Sequence, residues 1–134
     1  MLAPTGPVFK ASLITPEAIL LEAIVTEAQI PAIDGLLGVL AKRAPLTAQL
    51  APGILRLTTS TGPQRFFIDG GYAQMQNDEL TILTTEAIPA EKVTPDHLVA
   101  EQKKFDAIQG TDAKSLSQRT HLQTRMQAMR TLVG

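Results

Sequence analysis

The sequence contains no cysteine and no tryptophan, and its aromatic residues are limited to four Phe and one Tyr. The absence of cysteine excludes disulfides, thiolate nucleophiles and cysteine-ligated zinc or iron–sulfur sites, and it agrees with a reducing compartment. The small number of aromatic residues argues against a carbohydrate- or peptide-binding groove, because aromatic side chains line such grooves. We therefore expect neither redox chemistry nor an aromatic-lined binding site.

A charge excess of one sign and long apolar runs are also missing. Twelve Lys and Arg residues stand against 13 Asp and Glu residues, giving a net charge of -1, so the chain as a whole has no nucleic-acid or anionic-membrane signature. No apolar run approaches the ~20 residues that span a bilayer. The opening MLAPTGPVFK lacks a charged start followed by a long apolar stretch. These features predict a soluble chain that is not secreted.

The composition changes near Ile88. The chain has 134 residues, of which 44% are apolar, enough for one domain or a domain with a small appendage. Before this point five Lys/Arg against eight Asp/Glu give a net charge of -3, and after it seven against five give +2. All but two of the nine prolines and all but two of the nine glycines lie in the first part. We expect a domain over residues 1–88 and a second over residues 89–134.

The first part is punctuated into short apolar segments typical of strands. Their β-branched content and turn signals predict an antiparallel β-sandwich or flattened barrel. In the first segment, Phe9, Ala11 and Leu13 would point to one face. The predicted strands are 8–14, 18–30, 53–59, 64–69 and 79–85, and the predicted turns are Pro52-Gly53, Thr61-Gly62-Pro63 and Asn77-Asp78.

The second part has the period of helices. Thr94 is a predicted N-cap, followed by Pro95 at the first helical position and an acid in the first turn. This helix would continue to Gly110, and a second would begin after Asp112 and run to about Leu132. The two form an antiparallel helical hairpin, which must pack on the sandwich or on another protein. The predicted apolar stripes are Leu98, Phe105 and Ile108 in the first helix and Leu122, Met126, Met129 and Val133 in the second.

The last helix carries only positive charge. From Lys114 to Gly134 there are four basic residues and no acid. Such a helix suits an acidic, grooved partner, and a solvated helix with cations near its C-terminus is the alternative that composition leaves open. Four cations without an aromatic residue are a thin case for membrane or nucleic-acid contact. The four cations are Lys114, Arg119, Arg125 and Arg130.

No catalytic constellation emerges. His97 and His121 have no third ligand at metal spacing and are interpreted as exposed helix residues. The glycine-dense stretches 34–38 and 69–71 do not lead into a helix, as a phosphate-binding loop must. Asp34-Gly35 is predicted to be a turn between short strands. Asp69 and Glu86 could lie near each other at strand ends, but nothing in the sequence places two carboxylates in a cleft, so they are interpreted as surface carboxylates in solvent.

A series of short motifs occurs in order along the chain: Ile30-Pro31-Ala32, Asp34-Gly35, Gly38-Val39-Leu40, Arg43-Ala44-Pro45-Leu46, Gly53, Leu55-Arg56 and Gly70-Gly71-Tyr72-Ala73-Gln74-Met75. With the VFKASLITPE opening and the terminal helical hairpin, they resemble the epsilon subunit of the bacterial F-type ATP synthase over essentially the whole chain. The combined pattern is far more specific than any one motif.

This resemblance implies an α+β fold, in which an antiparallel β-sandwich precedes a two-helix hairpin. It implies a central-stalk rotor subunit without an active site or cofactor, held against the gamma subunit and the c ring. The complex would lie at the cytoplasmic face of the bacterial inner membrane, and this chain would contact the membrane only through it. The implied contacts are Ile33, Asp34, Gly35 and Leu36 for the c ring and Arg43, Ala44, Pro45 and Leu46 for gamma.

In that family the hairpin is regulatory, lying on the sandwich or extending toward an acidic stretch of a beta subunit to inhibit ATP hydrolysis. Arg119, Arg125 and Arg130 are the implied inhibitory contacts. Some members bind ATP through an arginine at the start of the first helix, which residues 93–100 lack, so no nucleotide is expected. The alternative, a small sandwich adaptor with a basic helical tail, leaves the glycine motifs unexplained, and an adaptor for nucleic acid also conflicts with the acidic first part.

Overall fold

The computed structural model describes residues 6–133. Seven strands precede a short 3-10 helix and two α-helices, which confirms the expected fold class. Strand pairing continues to Pro89, and the first α-helix begins at Pro95. The strands are β1 (Phe9–Ile14), β2 (Ile19–Ala32), β3 (Gly35–Leu40), β4 (Leu46–Thr59), β5 (Gly62–Gln76), β6 (Glu79–Leu83) and β7 (Ala87–Pro89), and the helices are the 3-10 helix (Ala90–Lys92), α1 (Pro95–Ala107) and α2 (Ala113–Val133).

The sheet closes on itself as a flattened barrel. Strands β1, β6, β5, β4 and β2 pair in that order, and β1 also pairs with β2. The short strand β3 extends the sheet beyond β2, and β7 pairs with β5. The pairs are antiparallel except that of β1 with β6, which is parallel. A parallel pair needs a long connection, which the four intervening strands provide.

The barrel encloses the main core. Phe9, Ala11 and Leu13 are buried and alternate with less buried neighbours along β1, as the sequence predicted. Full burial of a large apolar side chain stabilises the fold by about 1.5–3 kcal/mol. The fifteen buried members are Phe9, Ala11, Leu13, Val25, Ala28, Ile30, Val39, Leu50, Leu55, Leu57, Ile68, Ala73, Met75, Leu80 and Ile82.

The predicted turn at Pro52-Gly53 is wrong, because both residues lie inside β4. Pro52 is paired with Asp69 of β5, and the β2–β4 ladder is irregular between Gln29 and Ala32. A Cβ on Gly53 would lie 2.6 Å from the Cβ of Pro31. The glycine therefore allows β4 to approach β2 closely, which is an alternative meaning of glycine in a strand.

The turn between β5 and β6 falls at Asn77-Asp78, as predicted. Both residues have positive φ, 53° and 59°, which is the requirement of a tight hairpin turn whose twist matches the strands. Gly71 has a φ of +109°, and a Cβ there would lie 1.9 Å from the backbone oxygen of Leu83. Gly71 is thus explained by close packing of β5 on β6, whereas Gly70, with a φ of +76°, faces the Leu50 carbonyl oxygen of β4.

The helix boundaries follow the predicted signals closely. Thr94 precedes α1 and Pro95 opens it, while the Thr94 backbone N–H donates to Nδ1 of His97 at 3.0 Å. This reciprocal contact satisfies a backbone donor that would otherwise have no partner at the helix start. The helix ends at Ala107, with Ile108 as its C-cap, so the predicted stop at Gly110 lies beyond the true end.

A second, smaller core joins the helical hairpin to the sandwich. Its buried members are Phe67 of β5, Val93 before α1 and Met129 of α2. The hairpin is antiparallel, because Arg119 of α2 contacts Ile108 near the end of α1 and Arg125 contacts Glu101 further back along α1. The half-buried side chains packed against this core are Ile88, Leu98, Ala128, Leu132 and Val133.

Candidate functional site

The tip of the β2–β3 hairpin is the first candidate contact surface. Ile33 and Asp34 form a two-residue turn closed by the Ala32–Gly35 pair, and Gly35 has a φ of +125°. The Ile33 backbone N–H donates to the Gln49 carbonyl at 2.9 Å, which fixes the turn against β4. Ile33 is 56% exposed and Leu36 is 72% exposed. A rigid tip with apolar side chains in solvent is suited to contact another protein.

The segment between β3 and β4 is the second candidate surface. Arg43, Ala44 and Pro45 are exposed, and Leu46, which opens β4, is half-buried. Just before them, Lys42 has a φ of 64°, and its backbone N–H donates to Oδ1 of Asp78 at 2.6 Å. This hydrogen bond ties the segment to the β5–β6 turn. The structure thus holds the four predicted gamma-contacting residues together at the surface, and their contact with gamma remains a prediction.

A buried charge cluster lies where α2 meets the sandwich. Arg125 is only 8% exposed. Its Nη1 lies 2.9 Å from Oδ2 of Asp69, and its Nη2 donates to Oε1 of Glu86 at 2.8 Å and to Oε1 of Glu101 at 2.7 Å. Its guanidinium also lies 5.1 Å from the ring centroid of Phe67, within the range of a cation–π interaction. We refer to Arg125, Asp69, Glu86 and Glu101 as the Arg125 cluster.

The pKa of Arg125 follows from this environment. Burial by itself lowers the pKa of the guanidinium, but the hydrogen bonds to Glu101 and Glu86 and the charge of Asp69 outweigh burial and raise it. The charge is therefore permanent, and the ion pairs persist at any pH at which the three carboxylates are ionised.

The Arg125 cluster corrects one interpretation of the sequence. Asp69 and Glu86 are not simply surface carboxylates in solvent, because both bind one guanidinium supplied by α2. Their partner lies 39 residues beyond Glu86, a distance at which sequence periodicity carries no information on contact. One signal was available: Glu101 lies three residues after Leu98 and four before Phe105, on the apolar stripe of α1. A carboxylate at that position requires a buried partner.

The cluster carries more negative charge than its one arginine balances. Lys104 Nζ lies 3.8 Å from Oε1 of Glu101, and Nε2 of the exposed His121 lies 3.1 Å from Oδ1 of Asp69. Even so, Oδ1 of Asp69 and Oε2 of Glu101 are buried without a hydrogen bond of good geometry. Burying such atoms costs free energy, so this contact between hairpin and sandwich is imperfectly satisfied.

The three arginines predicted to contact an acidic partner have different environments. Arg125 is buried in the cluster. Arg119 is half-buried, and its Nη2 donates to the Ile108 carbonyl at 3.1 Å. Arg130 is exposed. With the hairpin docked, therefore, Arg130 is the exposed one of these three arginines.

The two histidines contact other groups in this structure. His97 caps α1, and His121 is exposed beside Asp69. Within residues 6–133, no group of three or more His, Asp or Glu side chains is arranged to hold a metal ion. None of the helices in that range combines the length and apolar character that crossing a bilayer requires.

Comparison with known proteins identifies the family. Residues 8–90 match the family model for the beta-sandwich domain of the ATP synthase delta/epsilon chain. The ATP synthase epsilon chain of Rhodopirellula baltica is 42% identical over 83 residues, covering 62% of this chain and 65% of that one. That of Cereibacter sphaeroides is 30% identical over 111 residues, covering 81% and 84%. The alignment thus spans slightly less than two thirds of the Rhodopirellula relative.

Solved structures agree on the fold. A chain of the Euglena gracilis mitochondrial ATP synthase, solved as an OSCP/F1/c-ring assembly, superposes with a TM-score of 0.81. It is 24% identical in sequence, and the match covers 98% of this chain and 83% of that one. The resemblance seen in the glycine and proline motifs is confirmed, and the chain belongs to the ATP synthase delta/epsilon chain family.

Proposed function

We propose that this chain is a non-catalytic subunit of the central stalk of an F-type ATP synthase. Its sandwich binds the gamma subunit and the ring of c subunits, so that rotation driven by ion flow is transmitted to the catalytic head. The chain is then peripheral, at the cytoplasmic face of a bacterial inner membrane, and reaches the membrane only through the complex. The match of residues 8–90 to the family's sandwich domain is the observation that carries this proposal.

The surface of the sandwich supports two separate contacts. The tip residues Ile33 and Leu36 offer apolar side chains on a hydrogen-bonded turn, which suits burial against another subunit of the rotor. The segment that begins at Arg43 is fixed by the Lys42–Asp78 hydrogen bond and offers a cation beside an exposed proline. We assign the tip to the c ring and the segment to gamma.

The helical hairpin is proposed to inhibit ATP hydrolysis when it leaves the sandwich. The last helix carries cations and no acid, so an acidic segment of a beta subunit would attract it, and salt would weaken that attraction. Arg119, Arg125 and Arg130 are the proposed contacts.

The experiment is co-purification with the gamma subunit encoded beside this chain, followed by ATP hydrolysis by a reconstituted catalytic head. The full chain is compared with a version that ends at Lys92, which keeps β7 intact. We expect both to bind gamma and only the full chain to slow hydrolysis. Failure of the full chain to bind gamma would overturn the central-stalk assignment and favour a free-standing adaptor.

Single substitutions separate the two sandwich contacts. Leu36→Glu should abolish binding to the c ring while preserving gamma binding, and Arg43→Glu should weaken gamma binding. Leu116→Glu is the matched control for the first, since Leu116 is exposed on α2. Arg65→Glu is the control for the second, since Arg65 is exposed on β5. Equal losses for variant and control would contradict the assigned surfaces.

A further inference from the structure

We infer that the Arg125 guanidinium has two mutually exclusive acidic partners: the carboxylates of this chain, and the acidic segment of another subunit. The first partner is visible in the Arg125 cluster. The second rests on the proposed function. The cluster therefore acts as a latch, in which the sandwich presents to Arg125 the same chemistry that an external acidic partner would offer.

Geometry makes the two partners exclusive. Nη1 of Arg125 is occupied by Asp69, and Nη2 is shared between Glu86 and Glu101. The ring centroid of Phe67 lies 5.1 Å from the Arg125 guanidinium, and Arg125 is almost fully buried. While α2 lies on the sandwich, both terminal nitrogens are paired with carboxylates of this chain, so an external carboxylate would have to displace one of them. We therefore expect Arg125 to change partners when the hairpin leaves.

The three carboxylates have unequal roles in that release. Glu101 lies on α1, so it moves with Arg125 when the whole hairpin departs. Asp69 lies on β5 and Glu86 on the segment between β6 and β7, so both stay with the sandwich. Release therefore breaks two ion pairs and leaves the third intact, which identifies Asp69 and Glu86 as the residues that hold the latch closed.

The latch is built to be reversible. Two carboxylate oxygens in the cluster, Oδ1 of Asp69 and Oε2 of Glu101, are buried without a hydrogen bond of good geometry, although Oδ1 of Asp69 lies 3.1 Å from Nε2 of His121. On release they gain water, which offsets part of the lost attraction to Arg125. A fully satisfied network would hold the hairpin more tightly and make exchange of partners slower.

The first experiment measures docking in the free chain. The sequence has no cysteine, so cysteines introduced at the exposed Gln76 and Gln127 can carry spin labels. Pulsed electron paramagnetic resonance then gives the distribution of distances between the label on the sandwich and the label on α2. In this background Glu86→Gln keeps the shape of a partly exposed side chain and should raise the released fraction about fivefold. Asp69→Asn should raise it more, because Asp69 is more deeply buried.

The matched control is Glu79→Gln, which removes the same charge from an exposed residue of β6. Within residues 6–133, Glu79 forms no ion pair, so its substitution should leave the distance distribution unchanged. If Glu86→Gln and Asp69→Asn also leave it unchanged, the latch is refuted, whatever the chain does in the synthase.

The second experiment tests the exchange of partners. Glu86→Gln retains all three arginines, so in a reconstituted head it should inhibit hydrolysis more strongly than the parent chain, and Glu79→Gln should inhibit as the parent does. Release of the hairpin without added inhibition would refute the exchange and the inhibitory part of the proposed function, while gamma binding would still report on the stalk assignment.

Discussion

The sandwich and the helical hairpin are stabilised in different ways. The sandwich is a closed hydrogen-bonded sheet around fifteen buried apolar side chains. The hairpin docks through a core with three buried members and through one arginine that pairs with two carboxylates of the sandwich, Asp69 and Glu86. Apolar burial in a closed sheet is lost only by global unfolding, whereas a small contact with unsatisfied polar atoms can open locally.

This difference fits a molecule with one permanent part and one movable part. The tip and the segment after β3 belong to the sandwich, so the proposed rotor contacts are carried by the rigid region. The cations of α2 belong to the hairpin, the region that we propose leaves the sandwich. Substitutions that affect one region and spare the other test this division.

The largest expected effect is in the sandwich. Gly71→Ala would place a Cβ 1.9 Å from the Leu83 carbonyl oxygen at a φ of +109°, and neither backbone can move without opening the β5–β6 pair. We expect a loss of more than about 4 kcal/mol in the free energy of unfolding, measured by urea denaturation. Gly38→Ala is the control, because a Cβ there meets nothing within 4 Å. Similar losses of unfolding free energy for both variants would show that the close contact of Gly71 with Leu83 is not the cause of the destabilisation.

The next effect should be confined to the hairpin. Arg125→Ala leaves three carboxylates without their common partner, and removal of one member of a buried ion pair costs about 3 kcal/mol. Hydrogen exchange should accelerate throughout α1 and α2 while the amides of β4 and β5 keep their protection. Arg130→Ala, at an exposed residue, should change hydrogen exchange neither in the helices nor in the strands. Equal acceleration in the strands would mean that sandwich and hairpin unfold as one unit.

A smaller effect is expected from the apolar part of the same contact. Met129 is buried against Phe67 and Val93, and Met129→Ala should weaken docking by about 2 kcal/mol. Denaturation followed by a label on α2 should shift, and a label on β5 should report an unchanged midpoint. Leu116→Ala removes an exposed side chain of the same helix and should have no effect on either. A shift at both labels would contradict separable stability.

Local signals in the sequence predicted most of this architecture. The alternation of Phe9, Ala11 and Leu13, the turn at Asn77-Asp78 and the cap at Thr94 each depend on residues close together in the chain, so propensity and period suffice. The prediction of a turn at Pro52-Gly53 was wrong because the same dipeptide suits either a turn or a close contact between strands. Only the tertiary approach of Pro31 decides between the two.

The Arg125 cluster could not be predicted from the sequence, for a different reason. Its members come from β5, the segment before β7, α1 and α2, and the pairing of distant charges depends on how these elements dock. Sequence patterning identified Arg125 as one of the four cations of α2 but could not distinguish a solvated cation from a buried one. The acid on the stripe of α1 was the informative residue, because burial of Glu101 demands a cation nearby.

The smallest expected effect is at the connection between the two helices. Asp112 precedes α2, and the Ser115 hydroxyl donates to its Oδ1 at 2.6 Å. This hydrogen bond, helped by the backbone N–H groups at the start of the helix and opposed by burial, lowers the pKa of the Asp112 carboxyl. A carboxyl whose pKa is lowered by folding stabilises the fold above its ordinary pKa, and that contribution is lost as the pH falls through the lowered value.

Ser115→Ala removes the main cause of the shift, so the pKa of Asp112 should move up toward its ordinary value in a nuclear magnetic resonance titration of the side-chain carboxyl. Ser117→Ala, at an exposed position of the same helix, should leave the pKa of Asp112 lowered. Because Asp112 lies at the surface, the docked hairpin should survive Ser115→Ala at neutral pH. If the pKa of Asp112 stays lowered in that variant, the backbone N–H groups of α2 are sufficient to hold it, and the helix start is fixed without the serine hydroxyl.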